Sequence, residues 1–173
     1  TGAFVKTLFE EKDPKYVQPL VPMLFVKNNP SQFIWQSNRD GWNHLYLYDI
    51  NGNLIKQLTS GHWEVLEVKG FNSKGDQLFY LSTEISPVAK TLFQLDLKKG
   101  NKKLITTLPG THDVRLNSTG TMVIDSFTNT THFPMIQLEE VKSNKTKTLL
   151  QAPNPLADFA TGEMKLFTIK NKR

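Results

Sequence analysis

Residues 33–58 read Phe33-Ile34-Trp35-Gln36-Ser37-Asn38-Arg39-Asp40-Gly41-Trp42-Asn43-His44-Leu45-Tyr46-Leu47-Tyr48-Asp49-Ile50-Asn51-Gly52-Asn53-Leu54-Ile55-Lys56-Gln57-Leu58. The period is two: Leu45, Leu47 and Asp49 alternate with Tyr46, Tyr48 and Ile50, so the two sets face opposite sides of a strand. Asn51-Gly52 is a strong hairpin signal, since a type I′ turn needs positive φ at both central residues. Arg39-Asp40-Gly41 is a tight connection between two aromatic strands, bracketed by Trp35 and Trp42.

The same pattern repeats outward from this stretch. Lys98-Lys99-Gly100-Asn101 and Lys142-Ser143-Asn144-Lys145 stand where Asn51-Gly52 stands, and Asn72-Ser73-Lys74-Gly75-Asp76 matches Asn117-Ser118-Thr119-Gly120. Four strands are expected per unit. The first are Leu24–Lys27, Leu66–Phe71 and Val114–Asn117; the second Phe33–Ser37, Gln77–Ser82 and Thr121–Phe127. The third are His44–Ile50, Thr91–Leu97 and Met135–Val141; the fourth Ile55–Leu58, Lys103–Thr107 and Lys147–Leu150. The units end at Leu58, Leu108 and Leu150, spacings of 50 and 42 residues. Four short strands per ~40–50 residues is the signature of β-propeller blades, small sheets that bury both faces only by stacking. A β-sandwich with accidental repetition is the alternative.

The expected fold is therefore all-β: about three four-stranded antiparallel blades of a β-propeller, an open fragment. The blades fall at residues 22–60, 63–108 and 112–152 of one partial domain, with 157–173 a linker or the start of the next element. Phe4–Leu8 reads as the last strand of a preceding blade and Lys165–Lys170 as the first strand of the next element. Pro153–Phe159 is the best helical candidate. An open stack leaves apolar blade faces uncovered, so self-association through them is expected.

Composition narrows the chemistry. Among 173 residues there is no Cys, which excludes disulfides and thiolate sites and fits either a reducing cytosol or a bacterial periplasm. No apolar run approaches the ~20 residues of a membrane-spanning helix. The net charge is +5, but only Arg39, Arg115 and Arg173 of the 21 basic residues are Arg, which argues against nucleic-acid readout. No Gly-x-Ser-x-Gly nucleophile motif occurs. The histidines, His44, His62, His112 and His132, lack the spacing of a helical metal pair, so no metal and no cofactor are expected. His62 and His112 stand at equivalent blade starts and read as a repeated structural turn. Glu10-Glu11 reads as a solvated turn leading into Asp13-Pro14, and Glu139-Glu140 reads likewise. Asn117, Asn129 and Asn144 open Asn-x-Thr triplets that are common by chance in such turns.

The stretch Trp35-Gln36-Ser37-Asn38-Arg39-Asp40-Gly41-Trp42-Asn43-His44-Leu45-Tyr46 resembles the dipeptidyl peptidase IV family of serine peptidases. So do Leu58-Thr59-Ser60-Gly61-His62-Trp63-Glu64-Val65, Ser82-Thr83-Glu84-Ile85-Ser86-Pro87 and Pro109-Gly110-Thr111-His112. Asn154-Pro155-Leu156 followed by Phe167-Thr168-Ile169-Lys170 looks like the link from propeller to hydrolase domain. The spacing is most similar to bacterial members of the Bacteroides type.

The resemblance implies an eight-bladed propeller joined to an α/β-hydrolase domain that comes after residue 173 and carries the Ser-Asp-His triad. It implies a periplasmic or exported enzyme releasing Xaa-Pro or Xaa-Ala dipeptides from peptide N-termini. The acidic pair that binds the substrate amine would precede Thr1, and its role is not carried over to Glu10-Glu11. No catalytic residue is expected in this chain. Substrate contact is expected from Val17 and Gln18, within Tyr16-Val17-Gln18-Pro19, just before the strand at Leu24–Val26. Gly61, Trp63, Glu64 and His112 match family motifs as packing and turn residues. The alternative function is a propeller binding or scaffold module with no peptidase attached; a free-standing enzyme would need a nucleophile and base that no motif supplies.

Overall fold

A computed structural model describes residues 2–18, 21–162, 164–165 and 167–171. Twelve strands form three sheets in chain order. The first holds β1 (Leu24–Val26), β2 (Asn29–Ser37), β3 (His44–Asp49) and β4 (Leu54–Gln57). The second holds β5 (Val65–Phe71), β6 (Gln77–Ser82), β7 (Thr91–Asp96) and β8 (Lys102–Leu104). The third holds β9 (Thr111–Leu116), β10 (Met122–Thr128), β11 (Met135–Glu140) and β12 (Lys145–Gln151). Each sheet is an antiparallel meander in which only sequence neighbours pair. No α-helix occurs among the described residues.

The middle sheet shows why the blades stack. Leu78, Phe79, Tyr80 and Leu81 of β6 are all fully buried, so this strand is apolar on both faces. Leu78 and Tyr80 pack with Val26, Ile34, Leu45 and Leu47 of the first sheet. Phe79 and Leu81 pack with Val114, Val123 and Val141 of the third. The other face of the first sheet carries Phe33, Trp35, Tyr46 and Tyr48, covered by Phe9. Ile124, about half exposed, lies on the uncovered face of the third sheet.

The turns fall where the sequence puts them, but the type I′ geometry expected at Asn51-Gly52 is corrected: Gly52 has positive φ and Asn51 does not, because the turn is centred on Ile50 and Asn51. Gly52 has φ +89°, and its amide closes the turn onto the Asp49 carbonyl at 3.1 Å. Gly75 has φ +76°, and a Cβ there would lie 1.9 Å from the Lys27 carbonyl oxygen, so only glycine lets the first two blades meet at this turn.

Three further expectations are corrected. Phe4–Leu8 forms no strand; residues 2–18 run as an irregular strap across the first sheet. The strap carries its own turn at Asp13-Pro14 and lies against the aromatic face of the sheet instead of along an edge strand. The described residues of Lys165–Lys170 are not in a strand, and Leu166 lies outside the described residues. Pro153–Phe159 makes two successive three-residue turns, Ala157 N–H to Asn154 O at 3.4 Å and Phe159 N–H to Leu156 O at 3.1 Å, with Asn154 Oδ1 accepting the Leu156 N–H instead of letting a helix propagate.

Candidate functional site

The strap and the β2–β3 hairpin meet at one end of the first sheet. Alternation along β2 puts Trp35 and Ser37 on one face, and the turn brings Arg39 beside them. This cluster holds an indole N–H, a hydroxyl and a guanidinium, all seeking an acceptor. Glu11 supplies it. Its Oε1 accepts from Trp35 Nε1 at 3.1 Å and from a guanidinium nitrogen of Arg39, and its Oε2 accepts from Ser37 Oγ at 2.8 Å. Arg39 also donates to Ser37 Oγ at 2.9 Å and to the Tyr48 hydroxyl at 2.6 Å, and its guanidinium lies 4.3 Å from the Tyr46 ring centre. Burial opposes the Arg39 charge, but the Tyr48 hydrogen bond and the Glu11 carboxylate outweigh it and hold the guanidinium firmly protonated. Burial, reinforced by the Asp40 charge, pushes the Tyr46 hydroxyl above its usual range.

Glu11 is therefore no solvated turn residue. Its side chain is 15% exposed, whereas Glu10 projects outward and pairs only with Lys12, at 3.0 Å. Phe9 fixes the strap on the other side of the clamp: its ring stacks on Tyr48 at 4.6 Å and meets Trp35 edge-on at 5.1 Å. Beyond the clamp, Asp13 Oδ1 accepts from the backbone amides of Lys15 (2.8 Å) and Tyr16 (3.0 Å), which turns the chain back toward the sheet. Those bonds hold the Asp13 carboxyl below its ordinary value.

The turn delivers Val17 and Gln18 to a pocket whose opposite wall is Gln36, Ser37, Asn38, Arg39 and Asn43. Its volume is about 100 Å³. Asn43 is fixed by donating to the Val65 carbonyl at 2.6 Å and to Gln36 Oε1 at 3.2 Å. The structure thus brings the two expected substrate contacts, Val17 and Gln18, together with Arg39; Pro19 lies outside the described residues. The pocket combines an apolar side, Val17 and Val21, with side-chain amides; its charges come in opposite signs, Arg39 with Glu11 and Lys12 with Asp13. It suits a neutral polar backbone with a small side chain.

The motif residues at the blade starts are packed. Trp63 meets His44 edge-on at 4.8 Å and stacks on Tyr80 at 6.4 Å. His44 lies between Thr59 Oγ1 (3.1 Å) and the Gly61 carbonyl (3.0 Å). His62, by contrast, is exposed and stacks on Trp42 at 6.1 Å.

His112 is buried between Asp125 Oδ2 and the Leu108 carbonyl, both at 2.8 Å. The Leu108 carbonyl can only accept, so Nε2 carries a proton, and Nδ1 faces the Asp125 carboxyl. Burial lowers the His112 pKa, but the Asp125 bond and charge outweigh that and raise it overall. Glu139 is buried beside this pair, a second correction: inward alternation along β11 puts it on the core face with Met135 and Gln137. Burial, with the Asp125 charge adding and His112 opposing, pushes its carboxyl up to about 7.

Residues 1–134 match the family described as the dipeptidyl peptidase IV (DPP IV) N-terminal region. Dipeptidyl peptidase 4 of Arthroderma otae is 26% identical over 82 residues, 46% of this chain and 11% of its own. The crystal structure of Porphyromonas gingivalis dipeptidyl peptidase 4 superposes with a TM-score of 0.67 at 28% identity, covering 75% of this chain and 18% of that one. A Bacteroides ovatus chain assigned as a dipeptidyl aminopeptidase IV superposes at 0.72 and 31% identity, covering 84% and 23%. The chain spans about a tenth of the length of the curated relatives it matches.

Proposed function

Because this chain belongs to the dipeptidyl peptidase IV family, through that family's N-terminal region, we propose that it is the non-catalytic, substrate-guiding propeller portion of a serine peptidase releasing Xaa-Pro and Xaa-Ala dipeptides from peptide N-termini. The observation that carries the reading is the pocket where Val17 and Gln18 of the strap face Arg39 and Asn43 across the blade end. A peptide fits its chemistry: amide side chains complement a peptide backbone, and Val17 and Val21 complement a small apolar side chain.

The chemistry would belong to an α/β-hydrolase domain beyond residue 173, in a periplasmic or exported enzyme with an eight-bladed propeller. Blades at 22–60, 63–108 and 112–152 would gate access, and 157–173 would lead to the hydrolase. The strap would then set the outer boundary of the substrate path, held by the Glu11–Arg39 clamp.

The test is dipeptide release from a Gly-Pro-headed hexapeptide by the complete gene product, with and without a serine-reactive inhibitor. Inhibitor-sensitive release is expected. Val17→Ala together with Gln18→Ala should raise KM about three- to tenfold with kcat nearly unchanged, the pattern of lost ground-state binding. Absence of inhibitor-sensitive release would leave the propeller as a binding module. Turnover by the 173-residue segment alone would overturn the division of labour.

A further inference from the structure

In each meander, the turn joining the first two strands and the turn joining the last two leave from the same end of the sheet. That end, opposite the strap pocket, carries turns 27–28, 50–53, 72–76, 97–101, 117–121 and 141–144. Lys27, Lys74, Lys98, Lys99, Lys142 and Lys145 are exposed on or beside these turns. The carboxylates there are committed to their own turns. Asp49 accepts the amides of Asn51 (2.8 Å) and Asn53 (2.9 Å). Asp96 accepts those of Lys98 (3.0 Å) and Lys99 (2.8 Å). Asp76 accepts from Asn72 Nδ2 at 2.7 Å, and Glu140 from the Ser143 hydroxyl. Among the described residues, none of the six lysines has a carboxylate oxygen within 4.0 Å. Six lysines stand against four carboxylates, Asp49, Asp76, Asp96 and Glu140, so this end keeps a net positive charge for a partner.

The same end holds two grooves that repeat with the blades. One, of about 550 Å³, lies between the first and second sheets and is walled by Lys27, Asn28, Gln32, Lys74 and Lys98, with one carboxylate, Asp76, among its lining. The other, of about 710 Å³, lies between the second and third and is walled by Asn72, Lys74, Lys103, Thr121 and Lys142, with two carboxylates, Asp76 and Glu140, among its lining. Lys98 and Lys142 occupy equivalent places, in the last turn of the following blade, and Lys74 serves both grooves. The inner turns are bonded to one another, Asn28 Nδ2 to the Ser73 carbonyl at 3.0 Å and Ser73 N–H to the Thr119 carbonyl at 3.1 Å, so the grooves sit side by side on one continuous rim.

We propose that this rim binds a linear acidic polysaccharide lying across consecutive grooves. Its carboxylate or sulfate groups meet the lysines, and its hydroxyls meet Asn28, Gln32, Asn72 and Thr121. The repeat of the surface matches the repeat of a polymer, and the sharing of Lys74 calls for an occupant longer than one sugar. A nucleic acid would be read by Arg or by exposed aromatic rings, and these turns carry neither. A membrane surface would call for apolar groups to insert, and Ile50 is the one large apolar side chain standing exposed in these turns among the described residues.

The test is fluorescence anisotropy of a labelled heparin-derived decasaccharide with the complete gene product at low ionic strength. Binding that weakens with salt is expected, because counterions are released on contact. Lys74→Gln should weaken it about tenfold and flatten the salt slope by about one; Lys98→Gln or Lys142→Gln, each touching one groove, should flatten the slope similarly with a smaller loss of affinity. Lys74→Arg should keep the affinity within about threefold, since the charge is retained. Lys6→Gln, an exposed lysine on the strap, should change nothing. Four results would overturn the proposal: no binding, equal binding of neutral dextran, a Lys74→Gln effect no larger than that of Lys6→Gln, or tighter binding of single-stranded DNA or phosphatidylglycerol vesicles than of the decasaccharide. None of these readouts depends on peptidase activity.

Discussion

Replacing Glu11 by Ala removes the acceptor on which Trp35, Ser37 and Arg39 converge. Trp35 is 7% exposed and Ser37 4%, so their donors would be left in a largely dry place. A buried donor without a partner costs about 1–3 kcal/mol, and a hydrogen bond to a charged group contributes about 1.5–3 kcal/mol. The Arg39 side chain is 32% exposed, so water compensates part of its loss and its share falls at the low end. The three losses share one carboxylate and do not add, which leaves about 3 kcal/mol in all. The deficit falls on the strap rather than the sheet, because β6 and its neighbours do not touch Glu11. The opening equilibrium of residues 10–18 should then rise about a hundredfold. Limited trypsinolysis reads this directly: cleavage after Lys12 and Lys15 should accelerate by about two orders of magnitude while the amides of Leu78–Leu81 keep their exchange protection. Glu10→Ala, which loses only an exposed pair with Lys12, serves as the control. Cleavage within about twofold of the wild-type rate would refute the clamp. Equal loss of protection in β6 would refute its confinement to the strap.

The buried ionisable groups give a pH signature. The folded Glu139 carboxyl titrates at about 7 against an ordinary 4.5, so the folded state holds its proton longer and stability falls as pH rises from about 4.5 through 7. Glu139→Gln should flatten that fall and add about 1–2 kcal/mol at pH 8, read from urea midpoints at pH 5 and pH 8. His112 is raised above 6.5, so its contribution is complete below 6.5 and lost as pH climbs through the folded value. Asp125→Asn should therefore cost about 3 kcal/mol, with the larger loss at pH 5; an equal loss at both pH values would contradict the raised His112 pKa. Gly75→Ala should cost at least about 2 kcal/mol in the same assay, because its Cβ would meet the Lys27 carbonyl oxygen at 1.9 Å.

The strands were legible because each carries a two-residue period between turn residues with strict backbone demands. The Asn51-Gly52 turn and the alternation of Leu45 and Leu47 with Tyr46 and Tyr48 suffice to place β3 and its hairpin. The clamp was not legible, since Glu11 meets Arg39 across 28 residues and an acidic pair in a polar stretch looks solvated. A signal was present nonetheless: Trp35, Ser37 and Arg39 at alternate positions form a donor-rich face that calls for a carboxylate. Glu139 shows the complementary failure. Met135, Gln137 and Val141 share its parity and are all buried, so period two alone assigns it inward; its charge concealed this. The strap could not be told from a strand because Phe4-Val5-Lys6-Thr7-Leu8 alternates as a strand does, whereas the strap lies against the aromatic face of the sheet.

Among the described residues every strand-to-strand ladder joins segments adjacent in the chain, and the second and third sheets share only a single bridge, Lys90 to Thr111. A nascent polypeptide can therefore finish each meander within ~40–50 residues of emerging, before the next is synthesised. Loop closures stay short, and the slow step becomes the docking of finished sheets through faces such as Leu78 and Tyr80. The same independence makes each meander a cassette that duplication can copy with its internal ladders intact, leaving only the few backbone bonds between sheets to be remade.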